Sequence, residues 1–201
     1  MSAEPEPGAT VGPDGLRRCP WAGSTPEYRA YHDTEWGRPV HGDSAIFERI
    51  TLEAFQSGLS WLTILRKREN FRAAFDRFDI EIIATYPDTA RERLLADSGI
   101  VRNRAKIEAT LANARAVARL LEAEGPGAFD RLVWSFAPQT SRVRPLRLAD
   151  VPAMSPESRA MARELKRRGL SFVGPTTMYA AMQAMGVVDD HLAGCHVLAG
   201  S

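Results

Sequence analysis

The chain has 201 residues, 44% hydrophobic and 25% charged, which suits one globular domain, or at most two small ones, able to bury a core without disulfides. No run approaches the roughly 18 apolar residues of a membrane span, since the most apolar stretch, Met178 to Val188, is broken by Gln183. The net charge of +1 excludes a uniformly basic or acidic protein, yet residues 142–168 hold eight Lys/Arg against three Asp/Glu, and residues 99–119 five against one. Such stretches either hold a phosphate backbone or are ordinary solvated helix faces.

Residues 1–18 are rich in Pro, Gly, Ala and Glu with few large apolar side chains, so a disordered tail is expected there, followed by a single domain over 19–201. The opening MSAEPEPGATVGPDG has neither the basic nor the apolar region of a secretory signal. A cytoplasmic protein with reduced thiols is therefore expected. From Cys19 onward the pattern is helical. Ile46, Phe47, Ile50 and Ala54 share one face of a helix that Asp43-Ser44 is placed to cap. Thr89-x-x-Glu92 reads as a capping box, with that helix ending before Gly99. Ile107, Leu111, Ala114, Ala118 and Leu121 define a long helix stopped by Gly125-Pro126. Ser155-Pro156 opens another, ending at Gly169, and Gly174-Pro175 opens the last. Only Arg142 to Leu148 alternates like a strand, and Pro145 weakens that reading. The fold class is all-α.

Three groups of residues could carry chemistry. The two cysteines each lie near a histidine, Cys19 with His32 and His191 with Cys195. On a helix, the i, i+4 pair His191 and Cys195 would share a face. Two thiolates and two imidazoles make a closed tetrahedral zinc set, here joining the two ends of the folded region. The alternatives are small buried cysteines with ordinary polar histidines, or a Cys–His hydrolase, for which no orienting third group is evident.

The second group is aromatic. Trp21, Tyr28, Tyr31, Trp36 and Trp61 are five of the eight Trp and Tyr residues. They bracket a helix on which Glu53 falls at the rim of the apolar arc. Such residues serve core packing beside a locally paired Glu, or they form a pocket whose ring faces and negative charge favour a flat cationic ligand. The third group is Lys166-Arg167-Arg168-Gly169-Leu170-Ser171-Phe172-Val173-Gly174, either a plain helical hairpin or a phosphate clamp of the helix–hairpin–helix kind.

Cys19-Pro20-Trp21, the run Tyr31 to Gly37, Leu52 to Trp61, Lys67 to Phe71, Val133 to Phe136, the glycine hairpin and Asp190-His191 through Cys195 together resemble the bacterial 3-methyladenine DNA glycosylase I family. The likeness runs from about Cys19 to Cys195 in one register. It implies an all-α helix–hairpin–helix glycosylase fold with one structural zinc on Cys19, His32, His191 and Cys195. It implies a base pocket of Trp21, Tyr28, Tyr31, Glu53 and Trp61, with Glu53 and Tyr31 catalytic. The DNA backbone would meet Gly169, Ser171, Gly174, Lys166 and Arg168. The partner would be double-stranded DNA containing alkylated bases, met by a monomer with no membrane contact.

The chemistry implied is hydrolysis. A lesion base is flipped from the stack, and its positive charge makes it a good leaving group. Glu53 with the aromatic faces selects the cation, and water adds to the sugar without strand cleavage. The run Val188-Asp189-Asp190-His191 departs from the family, which commonly has Asn where Asp189 stands. Asp189 is thus either a cap beside the zinc or a stabiliser of the sugar cation. A zinc-stapled module that binds damage without catalysis is the competing reading, though backbone binding alone needs no acidic aromatic pocket.

Overall fold

The computed structural model describes residues 8–140 and 143–198. Nine helices appear among them: α1 (Pro26–Thr34), α2 (Asp43–Gln56), α3 (Trp61–Ala74), α4 (Ile80–Ala84), α5 (Thr89–Ala96), α6 (Arg104–Glu124), α7 (Ala128–Trp134), α8 (Pro156–Arg167) and α9 (Pro175–Ala184). Short 3-10 turns cover Pro20–Gly23, Asp76–Phe78 and Leu148–Asp150. No helix of the described residues is long and apolar enough to cross a membrane.

Helix α2 is the hub, packing against α3, α4, α6, α7 and α9. It buries Ile46, Phe47, Ile50, Leu52 and Phe55, so it is apolar nearly all round, as a central helix must be. The main core gathers these residues with Phe71, Phe75, Phe78, Phe129, Met178 and Tyr179. A second cluster of Ala9, Cys19, Leu192, Cys195 and Val197 lies where the two ends of the chain meet.

Several sequence expectations need correction. Among the described residues the regular structure is helical except for one antiparallel pair, β1 (Thr10–Val11) with β2 (Arg17–Arg18). The disordered tail expected over 1–18 therefore does not extend to residues 8–18, while residues 1–7 lie outside the described residues. Apart from Ala9, which joins the second cluster, polar bonds anchor this segment: Arg18 is 4% exposed and forks between Asp14 and Asp33, at 2.8 and 2.7 Å. Arg142 also lies outside the described residues, and 143–148 form no strand.

The cap of α2 is Gly42, at φ 95°. The Asp43 carboxylate instead accepts from the backbone N–H groups of Gly127, Phe129 and Asp130, and so caps α7. The Thr89 box does not form either. Thr89 is already helical, because the Ala90 N–H bonds the Pro87 carbonyl and starts the helix one residue early. The caps at Ser155 and Gly125 stand as expected, and Asn103 caps the start of α6, its side chain accepting from the Lys106 N–H.

Candidate active site and metal cluster

Glu53 projects from the middle of α2 and is 6% exposed. It lines a cavity of about 460 Å³ with Trp21, Tyr28, Tyr31 and Trp61. These aromatics come from three places: the 3-10 turn at Pro20–Gly23, helix α1 and the first residue of α3. The Tyr31 and Trp61 rings stand 5.4 Å apart at 44°, an open V, and Trp21 meets Tyr28 edge-on at 5.7 Å. The Tyr28 hydroxyl accepts from the Leu62 backbone N–H at 3.0 Å, which fixes the start of α3 and with it Trp61.

Three polar groups at this cavity make no hydrogen bond among the described residues: the Glu53 carboxyl, the Tyr31 hydroxyl and the Trp61 Nε1. Burial, only partly opposed by Arg49 one turn earlier on α2, pushes the Glu53 carboxyl up to about 8. Burial and the neighbouring Glu53 charge push the Tyr31 phenol well above its usual range. Unpaired buried polar groups are costly, so a cluster of them facing an opening marks a ligand site.

Trp36, Gln56, Gln183, Asp190, Leu148 and Val151 also line the cavity and were not singled out as base-pocket residues from sequence. Gln56 was findable, since it lies three residues after Glu53 on the same helical face. Gln183 and Asp190 reach the cavity only through the packing of α9 on α2. The Asp190 carboxylate accepts from Tyr179 at 2.6 Å and Gln183 at 2.8 Å.

Behind the aromatics, Cys19, His32, His191 and Cys195 come together, all buried, with their donor atoms within 4.8 Å of one another. Cys195 Sγ lies 3.4 Å from His32 Nε2 and 3.6 Å from His191 Nδ1, and Cys19 Sγ lies 3.8 Å from His191 Nδ1. The helix expected for residues 191–195 is absent. A turn at Ala193-Gly194, with Gly194 at φ +81°, brings the pair together instead.

Each imidazole is held by its far nitrogen. His32 Nδ1 lies 2.8 Å from Asp33 Oδ1, and His191 Nε2 donates to the Trp36 carbonyl at 3.1 Å. This leaves His32 Nε2 and His191 Nδ1 turned towards the sulfurs. Burial works against the Asp33 charge, but bonds from Arg18, His32 and His196 outweigh it and hold its carboxyl well below the usual range. A Cβ on Gly37 would sit 2.8 Å from His191 Nε2, so glycine is required there. With Cys19 at 1% and Cys195 at 6% exposure, a thiol nucleophile open to substrate is not what the fold builds.

The glycine hairpin joins α8 to α9. Leu170 and Val173 are buried pegs, while Ser171 and Phe172 face outward. Asn113 of α6 clamps the turn, donating to the Ser171 carbonyl at 3.0 Å and accepting its N–H at 2.8 Å. Gly169 needs its positive φ of 91°, whereas Gly174 has φ −67° and open space around its Cβ position. Much of the basic run is neutralised internally: Arg167 pairs with Glu164, and Arg168 with Glu164 and Glu124. Lys166 is exposed and has no ion pair among the described residues. Helix α9 links this hairpin to the cavity, since Gly174 caps it and Ala180, about 9 Å further along its axis, lines the pocket.

The chain matches the family described as methyladenine glycosylase over residues 21–198, nearly all of the helical body. It belongs to the methyladenine glycosylase family. DNA-3-methyladenine glycosylase 1 of Escherichia coli is 44% identical over 181 residues, covering 90% of this chain and 96% of that protein. The DNA-3-methyladenine glycosylase of Haemophilus influenzae is likewise 44% identical, covering 89% and 96%. Two solved structures of 3-methyladenine DNA glycosylase I superpose closely. One has a TM-score of 0.83 at 46% identity, covering 89% of this chain and 98% of that one. The other, from Staphylococcus aureus, has a TM-score of 0.82 at 31% identity, covering 89% and 95%. The mostly helical fold, with a Cys/His cluster joining its N- and C-terminal ends, is consistent with a zinc-linked helix–hairpin–helix glycosylase.

Proposed function

We propose that this chain is a monofunctional DNA glycosylase that excises 3-methyladenine from alkylated duplex DNA by hydrolysis, as residues 19–201 acting in one domain. The observation that carries the reading is Glu53, a buried carboxyl without a hydrogen-bond partner among the described residues, set at a cavity walled by Tyr31, Trp61 and Trp21. An adenine alkylated at N3 within DNA carries positive charge. Its flat cationic ring suits the open V of Tyr31 and Trp61, and its charge supplies the partner that Glu53 lacks.

Entry of the cation favours the ionised form of Glu53, so the proton the empty pocket keeps on that carboxyl leaves to solvent. Glu53 then holds the base by a charge-assisted hydrogen bond, and the Tyr31 hydroxyl offers a second polar contact. As the glycosidic bond breaks, the base departs neutral and the sugar becomes oxocarbenium-like. Water adds to the sugar, gives up one proton to solvent, and leaves an abasic site. The hairpin residues Gly169, Ser171, Gly174, Lys166 and Arg168 meet the phosphate backbone. The Ser171 contribution comes from its hydroxyl, because its N–H is taken by Asn113.

The donor set of the cluster fits zinc. A tetrahedral ion bonded to Cys and His would put sulfur and nitrogen about 3.6 Å apart. The observed spacings of 3.4, 3.6 and 3.8 Å bracket that value. Bound there, the ion joins the two ends of the fold, and its four protein ligands leave it no role in the reaction. Cys19 and Cys195 are not joined in a disulfide, which suits a cytoplasmic setting, and we assign the protein as a monomer. Chromatography of the bases released from methylated DNA tests the function. Free 3-methyladenine from wild type, and far less from Glu53→Gln, supports it; no released base rejects it.

A further inference from the structure

Asp189 stands beside the metal cluster without touching the base pocket, yet one chain of contacts leads from it to the pocket wall. Its Oδ2 accepts from Arg144 Nε at 2.8 Å, and its Oδ1 accepts the His191 backbone N–H at 3.1 Å. Next to Arg144, the Pro145 carbonyl accepts from the Ala193 N–H at 2.8 Å. Two consecutive residues of the 143–151 segment are thus pinned to the 189–193 segment. Beyond them Arg147 and Asp150 close a 3-10 turn, with the Arg147 N–H on Asp150 Oδ2 at 3.0 Å. That turn carries Leu148, and Val151 follows it; both line the cavity, and Val151 packs against both hydrophobic clusters. Leu148 remains 47% exposed, as a residue at the cavity mouth is.

We propose that residues 143–151 form a strap that supplies the apolar wall of the base pocket, and that Asp189 positions this strap through Arg144 instead of acting on the sugar. The inference rests on the base-excision reading above. It deepens that reading by naming an apolar contact for the flipped purine from outside the helices that hold Glu53 and the aromatics. Both Asp189 oxygens are engaged within the protein, and the residue does not line the cavity. Neither fact suits a carboxylate waiting for a sugar cation. Replacing Asp by Asn at this position keeps an oxygen for the His191 N–H while removing the charge that holds Arg144, so it isolates the strap from the metal segment.

The test compares wild type with Asp189→Asn, Arg144→Gln, the double variant and Leu148→Ala. Binding of free 3-methyladenine is followed by tryptophan fluorescence, since Trp21, Trp36 and Trp61 surround the cavity. Single-turnover excision is measured with enzyme saturating over methylated duplex. Asp189→Asn and Arg144→Gln should each weaken base binding about tenfold, and the double variant no more than either. Their saturated single-turnover rates should stay within about threefold of wild type. Leu148→Ala should show the same loss of affinity with the ion pair intact, which keeps the strap testable if a variant of the pair fails to fold. A hundredfold fall in the Asp189→Asn single-turnover rate at unchanged base affinity would make Asp189 a group acting on the reacting sugar and overturn the proposal. Unchanged affinity in Leu148→Ala would remove the strap from the pocket. If wild type neither binds the free base nor releases it from DNA, the glycosylase reading itself fails, a result distinct from either.

Discussion

Cys195 Sγ lies 3.4 Å from His32 Nε2, although 163 residues separate them along the chain. Nearly the whole helical body lies between the two, and an ion at this point closes a loop of almost the full length of the fold. Cross-links over long loops remove the most freedom from the unfolded chain. Cys19→Ser and His191→Ala should therefore act on stability first and on the pocket second. If the site contributes about 3 kcal/mol, either change lowers Tm by roughly 6–12 °C in a chain of this size. Elemental analysis should find one zinc per chain, and a metal-free preparation with unchanged melting would reject the site.

Asp33 extends the same argument one layer out. It holds His32 Nδ1 at 2.8 Å and is itself held by Arg18 and His196. Asp33→Asn keeps the shape but loses the charge that orients the imidazole, and should weaken zinc about 10–100-fold. Competition with a chromogenic chelator measures this directly. Equal zinc affinity would mean that His32 is oriented by packing alone.

These two predictions show where the sequence was readable. Cys19, His32, His191 and Cys195 could be paired by residue type, and Glu53 could be placed at the rim of its helix by periodicity. Asp33 and Gly37 could not be found that way, because their parts depend on which ring nitrogen faces the two sulfurs. The tail reading failed over residues 8–18 for a similar reason: it counted apolar side chains, whereas Arg18 and its two aspartates hold that segment through charge. In the basic stretch at 99–119, Arg102, Arg104, Arg115 and Arg119 are exposed, as a solvated face requires, but one charge is not. Lys106 is buried and donates to the Phe55 and Ser57 carbonyls, supporting the end of α2 below the pocket. Local pattern predicts helices well, and it cannot say which charges the fold spends on itself.

The hairpin gives a clean test at Gly174. Its φ of −67° suits any residue, and the nearest atom to a Cβ there would be Thr177 Oγ1 at 4.0 Å. Gly174→Asp should therefore fold normally while setting a negative charge against phosphate. Affinity for undamaged duplex should fall at least tenfold at low salt. Lys166→Ala should reduce the salt slope by about one, whereas Arg168→Ala should change it less, since Glu164 and Glu124 already hold that guanidinium. Binding by Gly174→Asp equal to wild type, with the fold shown intact by circular dichroism, would refute the clamp.

Tyr31 separates polar from stacking contributions. Its hydroxyl is buried without a partner among the described residues, so Tyr31→Phe removes a group that costs the empty fold and should leave Tm unchanged or raise it. Excision should still fall, by about tenfold, if that hydroxyl bonds the flipped base. Trp61→Ala loses excision by the other route, through the missing ring. A Tyr31→Phe enzyme as fast as wild type would assign Tyr31 to stacking only.

Glu53 links stability, pH and catalysis in one residue. Burial raises its carboxyl from the usual 4.5 to about 8 in the empty pocket. Between those values the folded protein keeps a proton that the unfolded chain has released, so stability from this group is full below pH 4.5 and declines as pH rises to 8. Each pKa unit is worth about 1.4 kcal/mol, so the empty wild type gives up a few kcal/mol by pH 8. Glu53→Gln has no such proton to lose, and its Tm should overtake that of wild type as pH rises from 5 to 8. Activity should move the opposite way. The cationic base needs the carboxylate, so wild-type kcat/KM should climb with pH and level off near 8, with the limb absent in Glu53→Gln. At the plateau the variant should be slower by roughly ten- to a hundredfold, the worth of one charge-assisted hydrogen bond. Single-turnover release of 3-methyladenine across pH 5 to 9, beside melting curves in the same buffers, checks both trends. No rate limb in wild type and no crossing of the melting curves, with Glu53→Gln still slower, would mean that Glu53 meets the base but is already ionised in the empty pocket. Equal rates for the two enzymes at every pH would place the base pocket elsewhere.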